Sequence, residues 1–321
     1  MDPVVSSFPS TDRQSVLSLK IWHPEGIPRA IFQISHGMGD CIARYGELAA
    51  YLGKAGILVC GVDQVGHGDS ISSPDDFGYF PGGKNLSTLV DDQLALMAEM
   101  KKTYPHLPYV LFGLSMGSFV VRKAIVSPDF KGDGAIICAT SGSAGKPLGF
   151  GCFMTSLEAS LLGKKHRSGL VSKFSFERYN AHFGNRNRYC WMTRNEEYAA
   201  KLCEREETPP FTASGNRQLL GLMREVNTDE WFESVPLSLP VFFISGEDDA
   251  LGNFGADVKE IVARLEERDF SDLRMKLYPK DRHDLMVEPD KDTVFADILA
   301  FTEDCIDGVI AANRIGREEE Q

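Results

Sequence analysis

The chain predicts an α/β protein built on a mostly parallel sheet flanked by helices. Two observations carry this. Short apolar runs of strand length alternate with segments of helical period along most of the 321 residues. The alternation then breaks once, between about residues 141 and 235, where no strand-like apolar run occurs. Strands are expected at Val16–Trp22, Ala30–Ser35, Ile57–Val62, Tyr109–Phe112, Ala135–Ala139, Val241–Ser245 and Arg274–Tyr278. Helices are expected at Arg44–Lys54, Leu86–Lys102, Met116–Val126, Gly255–Arg268 and Lys291–Asp307, and Pro128 stops the third of them. The charged end Arg317–Gln321 is expected to fray.

The break reads as an inserted, mostly helical cap over residues 141–235, which leaves 1–140 and 236–321 as the sheet domain. It opens with Gly142, Gly145, Pro147, Gly149 and Gly151 and closes after Pro209-Pro210. Phe150, Phe153, Met154, Leu157 and Leu161 share one helical face. That face is expected to pack on the sheet domain, and the sharper alternative is an acyl-binding channel.

Composition narrows the class. Hydrophobic residues make up 43% and charged residues 25%, ordinary for a globular protein. A net charge of -12 argues against nucleic acid as a partner, because phosphate binding needs a basic footprint. It leaves membrane contact through an apolar patch open. The first fourteen residues are polar and lack a signal-peptide layout, so cytoplasmic residence is expected. Seven cysteines, an odd number without C-x-x-C, indicate neither a disulfide framework nor a zinc site.

The chemistry begins at Gly113-Leu114-Ser115-Met116-Gly117. The pattern alone is common, but here it sits between a strand and a helix, the context of a nucleophile elbow. A serine hydroxyl needs a base, and the base needs a carboxylate to orient it. His166 and His182 lie in the expected cap. His283 follows the strand Arg274–Tyr278, where the base belongs, and is the expected base. The acid should follow Val241–Ser245, where Glu247, Asp248 and Asp249 stand together and chemistry alone does not choose. The tetrahedral intermediate needs backbone donors. Met116 supplies one, and Met38, in His36-Gly37-Met38-Gly39 after an early strand, supplies the other.

These stretches occur in order with Arg44-Tyr45, Asp63–Ser70, Gly246–Gly252 and Arg282-His283. Together they resemble the monoacylglycerol lipase and lysophospholipase branch of the α/β-hydrolases, often grouped with serine-aminopeptidase-like hydrolases. The resemblance spans nearly the whole chain apart from the cap. It implies an α/β-hydrolase fold with an eight-stranded sheet, a helical cap, and serine esterase chemistry on small-molecule ester or lipid substrates without a cofactor. It also implies Asp249 as the acid, with Asp248 the remaining alternative. His67 resembles a structural histidine of the family's G-H-G-x-S turn, and His36 is expected to brace its own loop. One departure is Asp40-Cys41, where relatives often carry Glu-His near the polar end of the substrate site. It weakens the expectation of glycerol-head recognition and leaves ester hydrolysis intact.

Two other readings compete. An aminopeptidase or proline iminopeptidase needs acidic cap residues to hold a free amine, and Glu158, Glu177, Glu196 and Glu197 are the candidates. A non-catalytic binding protein on the same fold would normally lack a triad member, whereas this chain carries all three. Epoxide and haloalkane hydrolases place an aspartate where Ser115 stands.

Overall fold

Eight strands form one sheet in the order β1-β2-β4-β3-β5-β6-β7-β8 in the computed structural model, which describes residues 2–81, 88–142, 146–169, 177–184, 187–204 and 209–319. They are β1 (Val4–Pro9), β2 (Val16–Trp22), β3 (Ala30–Ser35), β4 (Ile57–Val62), β5 (Tyr109–Leu114), β6 (Gly134–Cys138), β7 (Val241–Gly246) and β8 (Leu273–Tyr278). From β4 to β8 every pairing is parallel, and β2 joins β4 antiparallel with β1 outside it. The central strands β3, β4, β5, β6 and β7 are buried throughout, as parallel strands covered on both faces must be.

Alternate side chains of these strands feed two cores, one on each face. Ile31, Leu58, Leu111, Ile137 and Phe243 point to helices α2 (Thr88–Thr103) and α3 (Met116–Ala124). Phe32, Val59, Phe112, Ile136 and Phe242 point to α1 (Gly46–Lys54) and to a long C-terminal helix, Lys291–Glu319. The first residues of the expected helix Leu86–Lys102, Leu86 and Ser87, lie outside the described residues.

Strand β1 is an addition to the expected set. Its residues are exposed apart from Phe8, so it carries no alternation that a sequence pattern could reveal. It is held as an edge strand by backbone pairing, Val4 opposite Ile21. The C-terminal helix runs to Glu319, twelve residues past the expected stop at Asp307, and Glu320 and Gln321, in the stretch expected to fray, lie outside the described residues. A Cβ on Gly308 would meet nothing within 4 Å, so this glycine stands in open space and costs only about 1 kcal/mol of helix propensity.

Between β6 and β7 the described residues form α4 (Lys146–Leu161), α5 (Glu196–Glu204), α6 (Ala213–Glu225) and α7 (Asp229–Ser234). No strand lies among them beyond a single bridge of Arg167 with Thr212. The segment divides physically. Phe211, Leu219, Leu222, Val226, Trp231 and Val235 belong to the same core as α3. Helix α4 does not: it packs along α6 through its small residues, Gly151 beside Leu220 and Thr155 buried. The expected packing of its large apolar face on the sheet domain is therefore overturned. Phe150, Phe153 and Leu161 are 66%, 63% and 72% exposed. The approach to α6 uses the face of Gly151 and Thr155, which turns the aromatic face outward.

Arg122, buried on α3, ties both ends of this segment to the sheet domain. Its guanidinium donates to Ser141 O (3.1 Å), to Asn227 Oδ1 (2.9 Å) and to Val226 O. Trp231 Nε1 donates back to Arg122 O at 2.6 Å.

Candidate active site

The loops that leave the C-terminal ends of β3, β5, β7 and β8 meet at one place, as expected for an open parallel sheet. Each contains backbone in the left-handed region: Gly39, Ser115, the run Asn253-Phe254-Gly255, and Lys280. Non-glycine residues hold such angles only where surrounding structure enforces them.

Ser115 follows β5 directly and precedes the first residue of α3, with φ 54 and ψ -115. The turn is tight because two glycines permit it. A Cβ on Gly117 would fall 1.9 Å from Ser35 O, and one on Gly113 would fall 2.2 Å from Gly117 O. Ser115 N–H donates to Cys138 O (3.0 Å), which anchors the elbow to β6.

His283 lies between Ser115 and Asp249. Its Nε2 is 2.8 Å from Ser115 Oγ, and its Nδ1 is 3.0 Å and 3.1 Å from the two Asp249 oxygens. Both side chains are buried. Asp249 also accepts the Leu251 N–H at 2.9 Å, so its orientation is set by its own loop. Of the three adjacent carboxylates, Asp249 turns inward. Glu247 is exposed, and Asp248 is held by its backbone N–H on Asp281 O (2.8 Å).

Met116 opens α3, where a helix amide has no intrahelical acceptor. Met38 lies in the loop after β3, which touches the elbow: a Cβ on Gly37 would sit 3.6 Å from Ser115 Cβ. His36 braces this loop. Its Nε2 accepts the Gln64 N–H (2.9 Å), so Nδ1 carries the proton and donates to Gly37 O (2.8 Å). Burial lowers its basicity, which keeps the ring neutral. His67 donates from Nδ1 to Val65 O and packs among Phe77, Phe80 and Phe211. Burial pushes it down to about 3, so it is neutral packing.

Arg44 joins the β3 loop to the loop that carries His283. It binds both oxygens of Asp40 (2.6 and 2.5 Å) and reaches Asp284, next to His283, at 2.6 Å. Burial would raise Asp40, but Arg44 overrides it and holds the carboxyl at about 2. Cys41 is half-buried, and its thiol is pushed up, chiefly by burial. The Arg44-Tyr45 pair was visible as a motif, but its bridging role was not.

A second unforeseen cluster lies on the other side of the His283 loop. Arg194 binds Asp281 (2.7 Å) and Asp290 (2.6 Å), and Glu288 accepts the Arg282 N–H (2.9 Å). Burial raises Glu288 to about 7 and Asp281 to about 6. A cavity of about 590 Å³ adjoins this cluster, lined by Arg194, Arg282, Phe183, Cys190 and Glu196 among others. Of the four candidate amine-binding acids, Glu177, Glu196 and Glu197 are exposed, and Glu197 pairs with Lys201 (2.7 Å). Glu158 is half-buried on α4.

Residues 26–290 match the family described as Serine aminopeptidase, S33. Monoglyceride lipase of Homo sapiens is 38% identical over 107 residues, which is 32% of this chain and 32% of that one, so the chain aligns with about a third of that relative's length. Monoacylglycerol lipase of Mycolicibacterium smegmatis is 24% identical over 292 residues, covering 88% of this chain and 90% of that one. Among solved structures, a highly thermostable carboxyl esterase from Bacillus coagulans superimposes with a TM-score of 0.87 at 25% identity, over 95% of this chain and 99% of that one. The chain belongs to the Serine aminopeptidase, S33 family and has the α/β-hydrolase fold.

Proposed function

We propose that this protein is a carboxylic ester hydrolase that cleaves single-chain lipid esters, lysophospholipid or monoacylglycerol, through an acyl-enzyme on Ser115. The observation that carries the reading is His283 within hydrogen-bond reach of both Ser115 Oγ and Asp249. The relatives' names, monoglyceride and monoacylglycerol lipase, support the lipid-ester class.

His283 Nε2 takes the Ser115 proton while the Oγ electron pair forms a bond to the ester carbonyl carbon. The carbonyl pair moves onto oxygen, between the N–H groups of Met38 and Met116. Collapse of the adduct breaks the bond to the alcohol, which leaves with the proton from His283. Water then repeats the sequence on the acyl-enzyme and releases the fatty acid. Asp249 keeps Nδ1 protonated and stabilises the imidazolium. No step requires a cofactor.

Residues 141–235 serve as the cap over this centre, with 1–140 and 236–321 as the hydrolase core. The exposed face of α4, followed by Lys164 and Lys165, suits transient contact with a membrane or micelle that presents the substrate. No helix among the described residues is long and apolar enough to cross a membrane. Seven free thiols fit the reducing cytoplasm.

A panel of p-nitrophenyl esters, lysophosphatidylcholine, monoacylglycerol and an aminoacyl amide tests the assignment. Ester turnover that disappears in Ser115→Ala supports it. Turnover of the amide alone would favour the aminopeptidase reading that the family's description raises. Undiminished ester hydrolysis by Ser115→Ala would sink the serine mechanism.

A further inference from the structure

In-plane hydrogen bonds fix where the nitrogens of His283 point. They leave the ring free to tilt about the line joining them. The face of the ring is covered by Trp191, whose indole centroid lies 4.8 Å away with 29° between the planes. Trp191 is buried and comes from the segment between β6 and β7, not from a sheet loop. Tyr179 lies 5.2 Å from the indole, and the backbone N–H of Trp191 donates to Asn180 Oδ1 at 3.1 Å.

The two aromatic rings ride on segments that are fastened together. Asp284 N–H donates to Met192 O (2.7 Å), and Arg282 Nη1 donates to Thr193 O (3.0 Å) and to Cys190 O. Arg194 Nε donates to Asp281 (2.9 Å), and Asn195 Nδ2 donates to Val287 O (3.1 Å). Residues 190–195 therefore follow the base loop as one body, and the indole keeps its place over the imidazole.

We infer that Trp191 is a positioning residue for the base: its indole holds the His283 ring in the plane that meets both Ser115 Oγ and Asp249, and its π face favours the imidazolium formed as Ser115 gives up its proton. The inference rests on the serine hydrolase reading above. An aromatic face within about 6 Å attracts a cation and gains much less from a neutral ring. The contact is thus stronger in the transition state than in the resting enzyme, so it raises kcat without tightening substrate binding. It also makes the insert a structural part of the base, beyond any role in covering substrate.

The test compares Trp191→Phe with Trp191→Leu in the full chain on p-nitrophenyl butyrate. Leucine keeps apolar cover over the ring and removes the π face. The expected result is a kcat lower by about ten- to thirtyfold in Trp191→Leu with KM unchanged, and most activity kept in Trp191→Phe. If the leucine variant does not fold, Trp191→Met takes its place. Wild-type kcat in the leucine or methionine variant overturns the inference, as does a loss confined to KM. A second readout does not depend on turnover. The His283 ring protons should show an upfield ring-current shift by NMR in wild type and Trp191→Phe, lost in Trp191→Leu. Were the wild type to hydrolyse no ester, the hydrolase reading would fail by itself. His283 signals that do not move between wild type and Trp191→Leu would overturn the positioning role in either case.

Discussion

Helices α3 and α4 both follow a strand at the C-terminal edge of the sheet, both are rich in apolar residues, and they end in opposite environments. In α3 every residue except Lys123 is buried, and the turn into it depends on two glycines against backbone. In α4 the face of Gly151 and Thr155 is the one turned to a neighbour, and three large apolar side chains stand more than 60% exposed. Apolar content therefore does not decide which face of a helix is covered. The decision lies with the closest approach a neighbour can make, and small residues win it. On α3 that close approach positions Ser115, the proposed nucleophile. On α4 it frees an apolar surface.

Mutations can break or sharpen this contrast. The largest effect belongs at the elbow. Ser115→Ala or His283→Ala should lower turnover by about 10⁴- to 10⁶-fold in a steady-state assay, with thermal stability little changed. Gly117→Ala puts a methyl 1.9 Å from Ser35 O, so the elbow or β3 must shift. We expect a loss of more than about 3 kcal/mol in urea unfolding, or failure to fold. Arg122→Met tests the join between the two regions. It removes the guanidinium that donates to Val226 O and Ser141 O, of which Ser141 O keeps Asn227 Nδ2 at 3.3 Å, and should cost about 2–4 kcal/mol by the same measurement.

Glu288 gives a pH signature where the insert meets the base loop. Burial raises its folded-state value from 4.5 to about 7, so the native chain binds the proton more tightly than the unfolded one. Its contribution to stability is present below pH 4.5 and is lost as pH rises through about 7. Glu288→Gln should flatten that fall in the melting temperature across the window. An unchanged slope would assign the fall to other groups. The smallest effect belongs on the exposed face of α4. Phe153→Ser should change stability by no more than about 0.5 kcal/mol, while weakening co-sedimentation with lysophosphatidylcholine-containing vesicles. A large stability loss would mean that this face is covered in solution.

Legibility in the sequence followed the same divide. Strands β3 to β7 are buried on both faces, so they stand out as largely apolar runs, and Ser115 and His283 could be placed by their position after strands. Edge strand β1 has one buried side chain and gives no pattern to read. Asp249 and Asp248 are chemically identical neighbours, and only the loop's turn through Leu251 and Gly252 brings one of them to His283. On α4 the helical period was readable, but which face would be covered depends on α6, whose Leu220 lies 69 residues after its contact Gly151. Arg44 was visible as part of a motif, whereas its partner Asp284 is 240 residues away in sequence. Trp191 carried no signal at all, because stacking on His283 is made by a contact between two distant segments.

The central claim is that Ser115 is a nucleophile activated by His283. Its most direct test is intact-mass spectrometry of the wild-type protein after reaction with a fluorophosphonate, with peptide mapping of the adduct and Ser115→Ala and His283→Ala beside it. One phosphonyl group on Ser115, absent from the alanine variant at 115 and formed far more slowly without His283, is the predicted result. A folded wild-type protein that takes up no phosphonate, or takes it up at another residue, would contradict the account.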